Sequence, residues 1–261
     1  MTALGRLLVE DRGLTRVLTI DNLQKRNALD FALLAELEAA CASAAEVGVR
    51  CLVIRGAGEQ AFSSGFDLDA MDGPGGDRPD LAVERAMEAV EGVPCPTVAF
   101  LNGSAFGGGC ELAATCDLRV AREGVLLGMP PAKLGVVYAA AGLRRFMALV
   151  GASHTREMFF TGRPVESEAA LAMGLVNRVV PSEGAEAEVL ALAQEIAGNA
   201  PLAVQGMKRI LRLLEASHER GLTEAEREEI SELRRRAFES EDLREGRTAF
   251  RERRPPRFRG A

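Results

Sequence analysis

The run Asn102-Gly103-Ser104-Ala105-Phe106-Gly107-Gly108-Gly109-Cys110-Glu111-Leu112 sets three consecutive glycines and a carboxylate between a strand-like stretch, 97–101, and a helix-like stretch, 111–116. That order builds an anion-stabilising loop. Glycines let the backbone approach a ligand without side chains in the way, and the free N–H groups of a helix start point outward at the positive end of its dipole. Glu111 follows within a turn, so fixed donors for a developing negative charge stand beside a group that could move a proton. Glycine-rich turns of this kind also bind phosphates, or let a helix pack closely on a sheet. The nucleotide readings fail on detail, because the segment has neither the Gly-Lys-Ser/Thr ending of a P-loop nor the spaced glycines of a dinucleotide fingerprint.

A second glycine-centred loop lies upstream. Residues 51–55, Cys-Leu-Val-Ile-Arg, read as a buried strand and lead to Ala61-Phe62-Ser63-Ser64-Gly65-Phe66-Asp67-Leu68. Farther on, Leu134-Gly135-Val136-Val137-Tyr138 holds the only tyrosine of the chain, whose phenol can donate a hydrogen bond or a proton. Cys41, Cys51, Cys95, Cys110 and Cys116 are odd in number and contain no Cys-x-x-Cys pair, which points away from disulfides and zinc. Cys110 adjoins Glu111, but His154 and His218 fall in polar helical runs and offer it no base, so it reads as a small buried residue.

These loops need a scaffold, and the chain can supply one. With 261 residues and 47% hydrophobic content it buries a large core, while a net charge of -6 gives no basic footprint for nucleic acid. The start lacks a secretory signal and no apolar run is long enough to span a bilayer, so the expected location is the cytoplasm, with no membrane partner. Strands are expected at 7–10 and 15–21, joined as a hairpin at Asp11-Arg12-Gly13, followed by a helix at 30–46. Further strands at 51–55, 97–101, 118–121 and 125–127 alternate with helices at 81–91 and 111–116, the order of α/β packing. After Gly142 helices dominate: 143–150, 155–160, 166–173, 186–198, 202–216 and 223–239. The stretch Asp72-Gly73-Pro74-Gly75-Gly76-Asp77-Arg78-Pro79 reads as a flexible loop, or a lid over a pocket. Glu224 to Glu232 with Arg227 reads as a solvated helix face, and Arg251, Arg253, Arg254, Arg257 and Arg259 make a basic tail.

The two glycine loops together resemble the enoyl-CoA hydratase/isomerase family, the crotonase superfamily. The likeness begins near Asn22-Leu23-Gln24-Lys25-Arg26-Asn27-Ala28-Leu29, runs through both loops and Pro164-Val165 to Gly174-Leu175-Val176-Asn177-Arg178-Val179-Val180, and ends at Phe250-Arg251-Glu252-Arg253-Arg254. It implies an α/β fold, a crotonase-like spiral of ββα repeats over residues 1–195, with a helical C-terminal region, 196–261, that makes trimers or dimers of trimers. It also implies a coenzyme A thioester as substrate, no separate cofactor and no metal. By resemblance the amides of Phe66 and Gly108 hold the thioester oxygen, and Glu111 falls on the first of two catalytic glutamates. Lys25, Arg26, Ala28, Ser64, Asp67, Leu68, Gly107, Pro131 and Leu134 line the acyl-CoA site, and Arg253 falls where relatives place a cation near the CoA phosphates. Met71, Pro131, Leu134 and Phe146 would shape the acyl pocket.

The second glutamate is missing, because the Pro-Glu step of the hydratases aligns with Pro130-Pro131. A chain with only Glu111 must use that group twice, recruit another, or run different chemistry. The segment around Tyr138 and the stretch from Arg236 onward are similar to methylmalonyl-CoA decarboxylases, although Phe66 and Pro130 stand where those enzymes carry histidine and threonine. Three function classes follow: a lyase or isomerase working through Glu111, a decarboxylase of a malonyl-type CoA, and a non-catalytic CoA-binding scaffold.

Overall fold

The computed structural model describes residues 5–70, 78–217, 223–254 and 256–261. Met71 and most of the expected lid, 72–77, lie outside them, as does His218.

A six-stranded sheet forms the centre, in the order β1 (Arg6–Arg12), β2 (Thr15–Asp21), β3 (Cys51–Gly56), β5 (Thr97–Leu101), β7 (Leu118–Arg122), β10 (Arg178–Val180). Only the β1–β2 hairpin is antiparallel. Its turn is Gly13-Leu14, one step beyond the expected Asp11-Arg12-Gly13, and Gly13 takes the positive φ of 66° that a two-residue hairpin requires. The parallel strands are apolar on both faces because both are covered. Leu18, Ile20, Leu52, Ile54, Ala99 and Leu101 face one core, packed with α1 (Phe31–Glu46), α2 (Pro79–Gly92) and α3 (Gly108–Thr115); Val17, Cys51, Val53, Val98, Phe100 and Val120 face a second, under α6 (Ala185–Gly198). The period of two thus divides each strand between two cores.

A second sheet runs in the order β4 (Ala61–Ser63), β6 (Ser104–Phe106), β8 (Leu126–Gly128), β9 (Val165–Glu166). The path β3–β4–α2 repeats as β5–β6–α3 and again as β7–β8 followed by α4 (Ala140–Thr161), each turn adding a parallel strand to both sheets. This is the expected ββα spiral. Buried Asn102 fixes one corner: its Oδ1 accepts from the Gly56 N–H at 3.0 Å, and its Nδ2 donates to the carbonyls of Gly56 (2.8 Å) and Gly58 (2.6 Å). Such bonds satisfy backbone groups that the strand ends leave unpaired inside the protein.

The helices expected at 143–150 and 155–160 are the two arms of α4, broken at Gly151 (φ 71°, ψ 171°). After α5 (Ser167–Ala172) and α6 come α7 (Pro201–Ser217), α8 (Glu224–Glu239) and α9 (Glu241–Glu252). Of the basic tail only Arg251 lies within α9; Arg253, Arg254, Arg257 and Arg259 follow it. Lys208 of α7 donates to the Cys95 carbonyl (2.9 Å) and to Asp117 (2.7 Å), and Arg50 donates to the Phe258 carbonyl. These contacts seat the C-terminal region at the N-terminal ends of β3, β5 and β7. Among the described residues no helix is long and apolar enough to cross a membrane.

Candidate active site

The site lies at the opposite, C-terminal strand ends, where the loop after β4 meets the start of α3. Leu29 and Phe66 form an isolated parallel bridge: the Leu29 N–H donates to the Gly65 carbonyl at 2.8 Å, and the Asp67 N–H donates to the Leu29 carbonyl at 2.7 Å. In that pattern the N–H of Phe66, between the two bonded residues, points away from Leu29. Its ring turns aside onto Phe31, edge to face with centroids 5.3 Å apart. Gly65 has φ 97°, outside the range of ordinary L residues, and a methyl built on it would stand 2.8 Å from the Phe106 carbonyl oxygen and 3.2 Å from the Gly108 nitrogen.

Gly107 caps α3 with φ 50° and ψ -124°, and its own N–H donates to the Gly128 carbonyl at 3.0 Å. Gly108 is the first residue of the helix, three positions before the expected start at Glu111, so its N–H has no intrahelical acceptor. A methyl built on Gly108 would lie 3.6 Å from the Phe66 nitrogen. Among the described residues neither the Phe66 nor the Gly108 amide has an acceptor within the protein. Two N–H groups without acceptors therefore stand close together at the positive end of α3.

Glu111, one turn into α3, is only 4% exposed. Its Oε2 accepts the Tyr138 hydroxyl at 2.5 Å and its Oε1 accepts Arg145 Nη1 at 2.9 Å. Burial pushes the Glu111 carboxyl above its ordinary value, and the Tyr138 hydrogen bond and the Arg145 charge pull it only part of the way back. The same burial, with the Glu111 charge adjacent, raises the Tyr138 phenol well above its usual range, so it stays a neutral donor. Tyr138 is braced by Phe159, itself edge-on to Phe146, and its ring passes so close to Gly142 that a methyl there would stand 2.6 Å away. Phe146, expected to shape the pocket, is fully buried in this brace.

Arg145 escapes the sequence reading. One signal existed: on α4 it lies three residues from Gly142, and Gly142, Phe146 and Val150 mark the buried face, so a charge beside that stripe needed a partner.

The remaining expected residues divide. Lys25 donates to Asp67 (2.7 Å) and Asp69 (3.0 Å), the Ser64 hydroxyl donates to the Lys25 carbonyl (3.0 Å), and the Ser64 N–H donates to the Arg26 carbonyl (3.0 Å). These bonds gather Lys25, Arg26, Ser64 and Asp67 at the mouth of the Phe66 loop, with Ala28 buried behind them and Leu68 exposed beside them. Pro131 is buried and opens a turn of helix, 131–134, two residues after β8 with Met129 and Pro130 between; it brings no acid, and Leu134 is exposed. Arg253 follows α9 and stands apart from the other residues, in the region seated at the far strand ends. The five cysteines are buried, Cys110 included, with their thiols pushed up to between about 11 and about 12 by desolvation.

Known proteins share this chain and this fold. The family model described as "Enoyl-CoA hydratase/isomerase" matches residues 12–261. A methylmalonyl-CoA decarboxylase of Escherichia coli is 33% identical over 242 residues, 91% of each chain, and a probable enoyl-CoA hydratase of Bacillus subtilis is 37% identical over 254 residues, 94% of this chain and 95% of that one. A crystal structure of an enoyl-CoA hydratase from Bacillus anthracis superposes with a TM-score of 0.88 at 30% identity, covering 98% of this chain and 99% of that one. With the spiral, the two glycine loops and these likenesses in agreement, the chain belongs to the enoyl-CoA hydratase/isomerase family.

Proposed function

We propose that the protein is a lyase or isomerase that holds the thioester oxygen of an acyl-CoA between the amides of Phe66 and Gly108 and moves protons with Glu111. The observation that carries this reading is the closeness of two acceptor-less N–H groups at the start of the helix that bears Glu111. Donors already in place stabilise charge that develops on oxygen as an enolate forms, and they need no reorganisation at the moment of reaction. In hydration, Glu111 would take a proton from water as the hydroxyl adds to the β-carbon and return it to the α-carbon, the net result being addition of one water. Isomerisation needs the same group twice, to remove a proton at one carbon and restore it at another. Lys25, Arg26 and Arg253 are proposed contacts of the CoA phosphates, Arg253 from a neighbouring copy in a trimer or dimer of trimers. The cell compartment proposed is the cytoplasm, and no cofactor beyond the thioester is required.

A second reading, decarboxylation of a malonyl-type CoA, is favoured by the occupancy of Glu111. Both its oxygens already take hydrogen bonds from Tyr138 and Arg145, and loss of carbon dioxide generates the enolate without a base. The likeness to a methylmalonyl-CoA decarboxylase agrees with it.

Crotonyl-CoA and methylmalonyl-CoA, incubated separately with the protein in deuterium oxide and followed by mass spectrometry, separate the readings. Gain of water on the first supports the lyase, loss of carbon dioxide from the second supports the decarboxylase. Gly108→Pro is the decisive variant, because proline is well tolerated at the first position of a helix and deletes the N–H itself. Losing one oxyanion donor costs about 3–4 kcal/mol in the transition state. A folded Gly108→Pro protein with full turnover would remove these amides from the chemistry.

A further inference from the structure

Arg145 bridges two carboxylates. Its Nε donates to Glu91 Oε1 at 2.6 Å and its Nη1 donates to Glu111 Oε1 at 2.9 Å, with only 12% of the side chain exposed. Glu91 lies in the last turn of α2 and Glu111 in the first turn of α3, so one guidinium on α4 ties three helices together at the site. A guanidinium is planar, and with Nε fixed on Glu91 the direction of Nη1 is fixed as well. Glu111 is therefore held from both sides, Oε1 by Arg145 and Oε2 by Tyr138, and its carboxyl cannot rotate without giving up one charge-assisted bond.

We propose that Arg145 is the positioning residue of the site: anchored on Glu91, it fixes Oε1 of Glu111, turns Oε2 toward Tyr138, and sets both the orientation and the charge of the carboxyl that moves protons. The inference rests on the reading of Glu111 as proton carrier. The groups facing Glu111 are Arg145 from α4, Glu91 from α2, Tyr138 from the segment before α4, and the neutral thiol of Cys110 on α3 itself; Glu215 of α7 reaches only as far as Glu91. Of these, Glu91 opposes ionisation of Glu111, while Arg145 and Tyr138 favour it against burial. Without Arg145, burial and Glu91 act against Tyr138 alone, and the carboxyl takes up its proton at higher pH.

The composition supplies the probe. Tyr138 is the only tyrosine and there is no tryptophan, so ultraviolet emission of the intact protein reports on the one ring that donates to Glu111. Emission is titrated for the parent and for Glu111→Gln, Arg145→Met, Arg145→Lys and Glu91→Gln, with far-ultraviolet circular dichroism to confirm folding. The expected result is a parent transition that Glu111→Gln abolishes, that Arg145→Met moves to higher pH, and that Glu91→Gln moves to lower pH. On the acyl-CoA that the parent turns over, Arg145→Met lowers kcat by roughly 100-fold, as a misplaced group does, with KM near the parent value. Arg145→Lys keeps the charge but loses the fork; it retains the parent transition more nearly than Arg145→Met while still losing kcat, and it serves as the test should the methionine variant not fold. A transition that stays at the parent pH in folded Arg145→Met, or a folded Arg145→Lys protein with the parent kcat, overturns the proposal. A transition that moves while the pH–rate profile does not leaves Arg145 in this role and removes Glu111 as proton carrier, so the two readings fail separately.

Discussion

Gly65→Ala tests the closeness of the two amides without touching any side chain at the site. Gly65 has φ 97°, and the added methyl would meet the Phe106 carbonyl oxygen at 2.8 Å and the Gly108 nitrogen at 3.2 Å. Both are backbone atoms, so no flexible side chain can swing aside. Restoring ordinary van der Waals separation from the carbonyl requires the two loops to part by about half an ångström where the Phe66 and Gly108 amides approach each other. Holding an L residue at this φ costs about 1–3 kcal/mol, which for a domain of this size class lowers Tm by roughly 2–4 °C per kcal/mol. The effect on turnover should be larger than the effect on stability. One oxyanion donor is worth about 10²–10³ in kcat, and displacement of a reacting group by an ångström costs roughly 100-fold, so kcat is expected to fall by about two orders of magnitude. The Glu111–Tyr138–Arg145 contacts involve none of the atoms that the methyl would meet and should survive, leaving the tyrosine emission titration unchanged. The assay is α-proton exchange of an acyl-CoA in deuterium oxide, read by mass spectrometry beside a thermal melt. Parent exchange rates from a folded Gly65→Ala protein would refute the oxyanion geometry, whatever happened to its Tm.

Three other outcomes are expected. Tyr138→Phe keeps the edge contact with Phe159 but deletes the donor to buried Oε2, so the pH–rate profile should move to higher pH with little change in fold; an unmoved profile would make the ring a packing group only. Because Glu111 binds its proton more tightly in the folded chain than in the unfolded one, its contribution to stability is fully present at low pH and is lost as pH rises through its raised folded value. Glu111→Gln does not titrate, so its Tm relative to the parent should climb as pH rises above 4.5, the ordinary value of the carboxyl, and a flat or falling difference would contradict the shift. The five thiols, pushed up to between about 11 and about 12 and buried, should be inert to Ellman's reagent at pH 8 until denaturant is added, when all five react; one rapidly titrating thiol in the native protein would contradict their burial.

The central strands were legible because each is apolar on both faces, and the two cores they feed require that composition. The second sheet was less so. The strands β4, β6 and β9 have two or three residues each, too few for a period of two to register, and their pairing depends on corners such as Asn102 that act across 44 and 46 residues. The start of α3 was placed three residues late because glycine is a poor helix former, yet Gly108 and Gly109 are helical here, and at Gly109 the end of β4 passes too close for a side chain, a methyl there standing 2.5 Å from the Ser63 carbonyl oxygen. Local propensity lost to a tertiary contact at the one place where that contact makes the site.

Arg145 illustrates the limit of motif reading more sharply. The glycine loops and Glu111 can be found by spacing because their neighbours in sequence are their neighbours in space. Arg145 is 34 residues from Glu111 and 54 from Glu91, and its role exists only after three helices have packed. Yet the missing acid at Pro131 already demanded something of this kind. The two donors to the buried Glu111 carboxyl are a phenol too basic to ionise and a guanidinium that stays charged, and they hold its proton affinity down against burial and Glu91. An aligned pair of glutamates divides giving and taking of protons between two groups. On the proposed reading Glu111 must do both, which is why its orientation should matter as much as its charge, and why a lysine at position 145 should fail to replace the arginine.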